Sequence, residues 1–365
     1  MHIENAKNER KIQLFCLSIC FIIFGALLLF AAFSRPDTIE QIGLYYERGR
    51  VIDVSYEATS PFRYQMLYVE VLSGEFQGMT IEAQNNLMNP RLSPFSGGER
   101  VILEFTEQAI QIESPDRSMA HFFLVALFLI LLGVVGGKRG LLSMAGLLFS
   151  LTAILFILVP LTLAGYSAIL IAMIVGILII TTTIILLAGI NPKSISAIFG
   201  CTVGVLIAAF FAFIAGELAF ISGYHIGEAG LLRGAQPNLR LSGIFTSGVI
   251  IAAIGAISDT SMTIASAMEE VKLANPTISM KDLATAGFNV GRDAMGTMSN
   301  TLILAFIGSS FGLILLLTSM DISWIQFIND DLIGVEIIQG IAGSIGIVLA
   351  VPITTFIAAK LFSSK

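Results

Sequence analysis

Two short stretches carry the residues that could do chemistry. In IIAAIGAISDTSMTIASAMEEV (250–271), Asp259, Thr263, Ser266 and Glu270 fall at i, i+4, i+7 and i+11. That spacing lines one face of a helix. In GFNVGRDAMGTMSNTLILAF (287–306), Asp293, Thr297 and Asn300 share a helical face, with Gly296 beside them leaving room for close approach. A carboxylate, an amide and several hydroxyls could ring a cation or relay a proton. Asp259, Thr263, Thr297 and Asn300 are therefore the candidate ion or substrate ligands. Arg292 and Asp293 are the candidate gate or anchor pair, and Glu217, near the end of another apolar run, is a weaker candidate. Plainer roles exist for each. Asn and Thr glue membrane helices together, Asp favours a helix N-terminus, and Arg anchors a cytoplasmic helix end.

The elements that must position these residues are membrane helices. The 365 residues are 55% hydrophobic and 13% charged, with a mean hydropathy of +0.86. Soluble domains carry about 25% charged residues. Apolar runs near 119–136, 141–163, 167–189, 195–221, 244–268, 295–318 and 336–359 reach the ~18 residues that span a bilayer. The run 12–33 adds another, for about eight transmembrane helices. This first run ends in a signal-like Ala32-Phe33-Ser34, but a signal core runs to only about 7–15 residues, so its length favours an uncleaved anchor. With the sixth span ending near residue 268, Asp259 sits about nine residues in, or ~13 Å. Asn300 enters from the same side at similar depth, ~10 Å.

Lys7, Arg10, Lys11, Lys138, Arg139, Lys193, Lys272, Lys281, Arg292, Lys360 and Lys365 all fall on one side of this layout. The short loops opposite hold only Arg233 and Arg240. Arg35 and Arg117 flank spans on that same opposite side. The excess of positive charge marks the cytoplasm, so both termini are expected inside.

Residues 34–117 are different material. GRVIDVSYE (49–57), YQMLYVEVLSG (64–74), MTIEAQ (79–84) and ERVILEF (99–105) alternate apolar and polar between Gly, Pro and Asn breaks. This is the period of half-buried strands. The expected organisation is a cytoplasmic N-terminus and first helix (1–33), an extracytoplasmic β-rich barrel or sandwich (34–117) and a seven-helix membrane domain (118–365). Asn275-Pro276 followed by Ser279-x-x-Asp282 predicts a turn and a short cytoplasmic helix over 279–290. GCTVG (200–204) and GSSFG (308–312) are patterns that usually mark close helix contacts.

Several chemistries lack their residues. Cys16, Cys20 and Cys201 all lie in apolar runs, which leaves no disulfide framework. Three scattered histidines give a metal no ligand cluster, and no H-E-x-x-H occurs. No G-x-x-x-x-G-K-[ST] is present to bind a nucleotide, and no basic run suggests nucleic acid. Asp259 and Asp293 lie at different depths, unlike an aspartyl dyad. Tyr224, His225 and Glu228 sit in a polar outer loop, where solvent is the expected partner. The chain is read as a non-enzyme with no cofactor and no metal.

DTSMTIASAMEEV (259–271), NPTISMKDLATAGFNVGRDAMGTMSNTLILAF (275–306) and GKRGLLS (137–143) resemble the bacterial YibE/F family of multi-pass membrane proteins. The resemblance implies a bacterial cell-membrane protein and supports the eight-span layout. It carries over no catalytic or ligand residues. Two function classes stand at this stage. One is a secondary transporter or permease of an unknown ion or small solute, with its site between the sixth and seventh spans. The other is a non-transporting scaffold, assembly factor or sensor whose β-domain binds a protein partner.

Overall fold

The computed structural model describes residues 2–34, 45–58, 63–106, 109–221 and 241–363, with side chains from residue 16 onward except at 33, 56–58, 241 and 242. Arg35, Tyr224, His225, Glu228, Arg233, Arg240 and Lys365, singled out above, lie outside the described residues, as do the side chains of Lys7, Arg10 and Lys11. The chain divides into two compact units, residues 38–135 and residues 1–37 with 136–365.

The smaller unit holds five strands among the described residues: β1 (Tyr45–Ala58), β2 (Tyr64–Val71), β3 (Thr80–Asn86), β4 (Arg100–Phe105) and β5 (Ile110–Pro115). They close into a barrel in the order β1-β2-β3-β5-β4, with β3 and β5 parallel and the other pairs antiparallel. This is a five-stranded Greek-key barrel of the OB kind. Closure depends on β1, which pairs with β4 along Tyr45–Arg50 and with β2 along Gly49–Ala58. Two register shifts, between Val51 and Asp53 and between Val54 and Tyr56, bend it as bulges do. At Gly49, where both partners meet, a Cβ would stand 2.9 Å from Leu103 Cδ1. The alternation read from β2 buries Gln65, Leu67, Val69 and Val71, and with Val51, Ala83, Val101, Leu103, Phe105 and Ile112 they fill the barrel. The fifth strand, β5, was not among those expected. Its alternating IQIE run is too short to stand out without its partner β4.

Helices make up the rest. They are α1 (His2–Phe33), α2 (Ser118–Ala153), a π-turn (Ile154–Leu158) leading into α3 (Val159–Leu163), α4 (Ala168–Ala188), α5 (Pro192–Leu218), α6 (Leu241–Ala274), α7 (Met280–Ser309), α8 (Phe311–Ser319), α9 (Trp324–Ile328) and α10 (Asp331–Ser363). Five of these stretches are long and apolar enough to cross a membrane, or six if the bent pair α7–α8 is one span. The expected spans 119–136 and 141–163 fall in one stretch, Ser118–Leu163, which is broken at Gly137 by a positive φ of 53°. The first expected span offers a shorter apolar helix, Cys16–Ala32.

Two expectations change. The short helix over 279–290 does not stop there: α7 starts on its Ser279 cap, whose hydroxyl oxygen accepts from Asp282 N at 3.1 Å, and runs unbroken to Ser309. The seventh span then breaks by 57° between α7 and α8. GSSFG lies on that break, and among the described residues no atom comes within 4 Å of an added Cβ at Gly308 or Gly312. It marks a bend, not a close contact.

The helical core is a four-helix arrangement in which α5 and α7 each pack on both α6 and α10, and α6 packs on α10. Glycines permit the approach. GCTVG does what its pattern promises: a Cβ at Gly204 would meet the Gly346 carbonyl oxygen at 3.0 Å and Ala350 Cβ at 2.9 Å. On α7, Gly287 receives Met268, and Gly291 receives Val351 and Ile264. Inside this core Thr354 donates to Ser261 at 3.2 Å, while Thr355 Oγ1 is buried without a partner among the described residues.

Candidate functional site

The packing of α6 decides where its polar face points. Ile250, Ala253, Ile257, Ser261, Ile264 and Met268 are buried against the neighbouring helices. Gly255, Asp259, Thr263 and Glu270 form the opposite, exposed stripe, with Ser266 half-buried among them. An α-helix of 3.6 residues per turn cannot present both sets to one side. The bundle takes the apolar set, and the carboxylate of Asp259 turns away from it.

On α7 the exposed face carries Arg292, Asp293, Gly296, Thr297, Asn300 and Thr301. The register between α6 and α7 follows from their glycine contacts. Met268 meets Gly287 and Ile264 meets Gly291, while Ala253 and Leu302 both close on Gly343 of α10. The helices are antiparallel and step together by four residues. Carried along, this register sets Thr263 level with Arg292 and Asp259 level with Gly296. Asn300 stands one helical turn beyond Asp259, ~6 Å along the axis, not directly opposite it.

No hydrogen bond or ion pair among the described residues joins one side chain of the six candidates to another. Among the described residues, no hydrogen bond or ion pair reaches the side chains of Asp259, Arg292, Asp293 or Asn300. The Thr297 hydroxyl donates to the Asp293 carbonyl at 3.2 Å, and that of Thr301 to the Thr297 carbonyl at 2.9 Å. Those protons are spent within the helix, and the hydroxyl oxygens remain able to accept a donor or a cation. Glu217 is exposed in the last turn of α5. No group of three or more His, Cys, Asp or Glu that could hold a metal occurs among the described residues.

Two features escaped the reading of the sequence. Lys193 on α5 and Glu269 on α6 form an ion pair at 2.7 Å. Glu336 on α10 lines a cavity, and its Oε2 is buried without a hydrogen-bond partner among the described residues. The available signal for Glu336 was its place among apolar neighbours, Ile333, Val335, Ile337 and Ile338.

Long apolar helices that meet through glycines, together with a small β-barrel, define a polytopic α-helical membrane protein. The chain belongs to the YibE/F-like family, whose model matches residues 124–364. The match takes in every candidate residue and leaves the barrel outside. Neither a curated protein nor a solved structure matches the chain.

Proposed function

We propose that this protein is a secondary transporter of a small ion or solute, working through the polar stripes of α6 and α7. The observation that carries this reading is Asp259: a carboxylate within an apolar span, exposed, and without an ionic partner among the described residues. An ionisable group at membrane depth costs roughly 2.5–3.5 kcal/mol on insertion scales, and such groups usually face a water-filled path or a bundle interior. Asp259 is then the charge-coupling carboxylate, with Thr263, Thr297 and Asn300 as neutral oxygen ligands. Arg292 and Asp293 sit at the mouth. Glu217 stands at the far side of the membrane. The 57° break between α7 and α8 supports the same reading, since transporters build sites from discontinuous helices. With no nucleotide motif in the sequence, the energy source is an ion gradient or a separate subunit.

The layout proposed is eight spans in a bacterial cell membrane, both termini cytoplasmic by the distribution of Lys and Arg, and the barrel outside. The role is transport, not catalysis. The test is charge movement by proteoliposomes on a solid support under steps of pH, Na⁺, K⁺ and small solutes. Wild type should give a current that Asp259→Asn abolishes while remaining folded. Silence from both proteins under every step would sink the reading.

A second reading is a membrane scaffold or sensor whose barrel binds a protein partner. It is favoured by the barrel's own core and by its position outside the matched family region. On that reading Asp259→Asn leaves function intact, and deletion of the barrel removes it.

A further inference from the structure

The break between α7 and α8 borders a cavity of about 290 Å³. Ile303 and Phe306 of α7, Ile314 of α8, Phe327 of α9 and Glu336 of α10 form its wall, with Ser310 at the break itself. All but two of the lining residues are apolar, glycine included. Ser310 is 9% exposed, and its side chain makes no capping bond to α8. Glu336 Oε2 is buried with no donor to satisfy it among the described residues. An ionised carboxylate left without donors in an apolar wall is costly, whereas a charge-assisted N–H···O bond to it is among the stronger polar contacts.

The chemistry of the wall selects the ligand. Ca²⁺ takes six to eight oxygens and Mg²⁺ an octahedral set, and one carboxylate with one hydroxyl cannot supply them. A proton would neutralise Glu336 but would leave the apolar volume unused. An organic ammonium with an apolar body uses both parts. Its N–H donors meet Glu336 and Ser310, and its hydrocarbon lies against Ile303, Phe306, Ile314 and Phe327. We propose that this cavity binds alkylammonium ions, the ammonium paired with Glu336. The site is separate from the α6–α7 stripes and does not depend on the transport reading.

The experiment uses the full chain in phosphatidylcholine nanodiscs and octylamine carrying a terminal diazirine. Irradiation should label peptides spanning 303–314 and 333–341, and Glu336→Gln should lower that labelling about tenfold, the loss expected of a hydrogen bond to a charged group. An octanol probe with the same diazirine should label weakly. If Glu336→Gln does not fold, Ile314→Trp fills the cavity with the carboxylate in place and should block labelling. Adding phosphatidylethanolamine separates two sources of the ammonium group: unchanged labelling assigns the site to free amines, and competition assigns it to the lipid headgroup. Equal labelling of wild type and Glu336→Gln, or equal labelling by amine and alcohol, overturns the proposal.

Discussion

Lys193 Nζ lies 2.7 Å from Glu269 Oε2, tying the start of α5 to the last turns of α6. Lys193 is the second residue of α5, after an Asn191 cap whose Oδ1 accepts from Ser194 N at 2.8 Å. A cation there opposes the positive pole of the helix, and Glu269 offsets it. Breaking the pair should therefore be asymmetric. Glu269→Gln strands Lys193 and should cost about 1 kcal/mol. Lys193→Met removes the pair and the dipole conflict together and should be nearly neutral. Thermal unfolding of the two single variants and the double variant checks this, and equal losses in both singles would refute it.

The contact between α5 and α10 is backbone against backbone. A Cβ at Gly346 would stand 2.7 Å from the Gly204 carbonyl oxygen, which cannot swing aside as a side chain could. Gly346→Ala should destabilise the helical unit by about 1–3 kcal/mol, as overpacking does. An added Cβ at Gly255, on the exposed stripe of α6, would meet nothing within 4 Å among the described residues. Gly255→Ala should be neutral or stabilise by about 0.5–1 kcal/mol, because alanine loses less conformational freedom in a helix. Melting temperatures in one detergent compare the two directly.

Inside the barrel, Gln65 Oε1 accepts from Phe95 N at 2.9 Å and from Asn85 Nδ2 at 3.0 Å. Asn85 Nδ2 also reaches the Ser93 carbonyl at 3.0 Å. These bonds hold the segment between β3 and β4 against the barrel. Gln65→Met keeps the volume but strands the Phe95 N–H and one Asn85 amide proton, the other still reaching Ser93, a loss of about 1–3 kcal/mol. Hydrogen exchange of the intact protein should show lost protection at Phe95. Unchanged exchange there would mean that the network does not hold the segment.

Asp116 accepts from the hydroxyl and the backbone N–H of Ser118, the first residue of α2. The bond from the Ser118 hydroxyl, then that from its N–H, holds the carboxyl below its usual range, with Arg48 and Arg100 adding smaller pulls against a modest opposing effect of burial. A carboxylate with a depressed folded value contributes stability at pH above the unfolded value and loses it as pH falls through the folded one. Protection of the first amides of α2 should be flat above pH ~5 and fall below pH ~4. Asp116→Asn should remove that acid-side fall.

The helical face that holds Asp259, Thr263 and Glu270 was legible from spacing alone, because 3.6-residue periodicity sets which residues of one helix share a side. So were the Ser279 cap, where a hydroxyl three residues before an acid satisfies an otherwise free N–H, and the barrel strands with two-residue alternation. The direction in which a face points is not a property of one helix. Rotation about each axis is set by Gly204 against Gly346, and by Gly287 and Gly291 against Met268 and Ile264. That packing turned Asp259 outward and moved Asn300 one turn along. β5 became a strand only beside β4, and Glu336 acquired its cavity only through the bend at Ser310, 26 residues away in the chain. Composition, periodicity and capping act within a few residues, so the chain alone determined membrane helices, barrel strands and their ends. Contacts between distant residues answer to volume and close approach, so the rotation of α6, the register of α7 and the wall around Glu336 were decided by the tertiary structure.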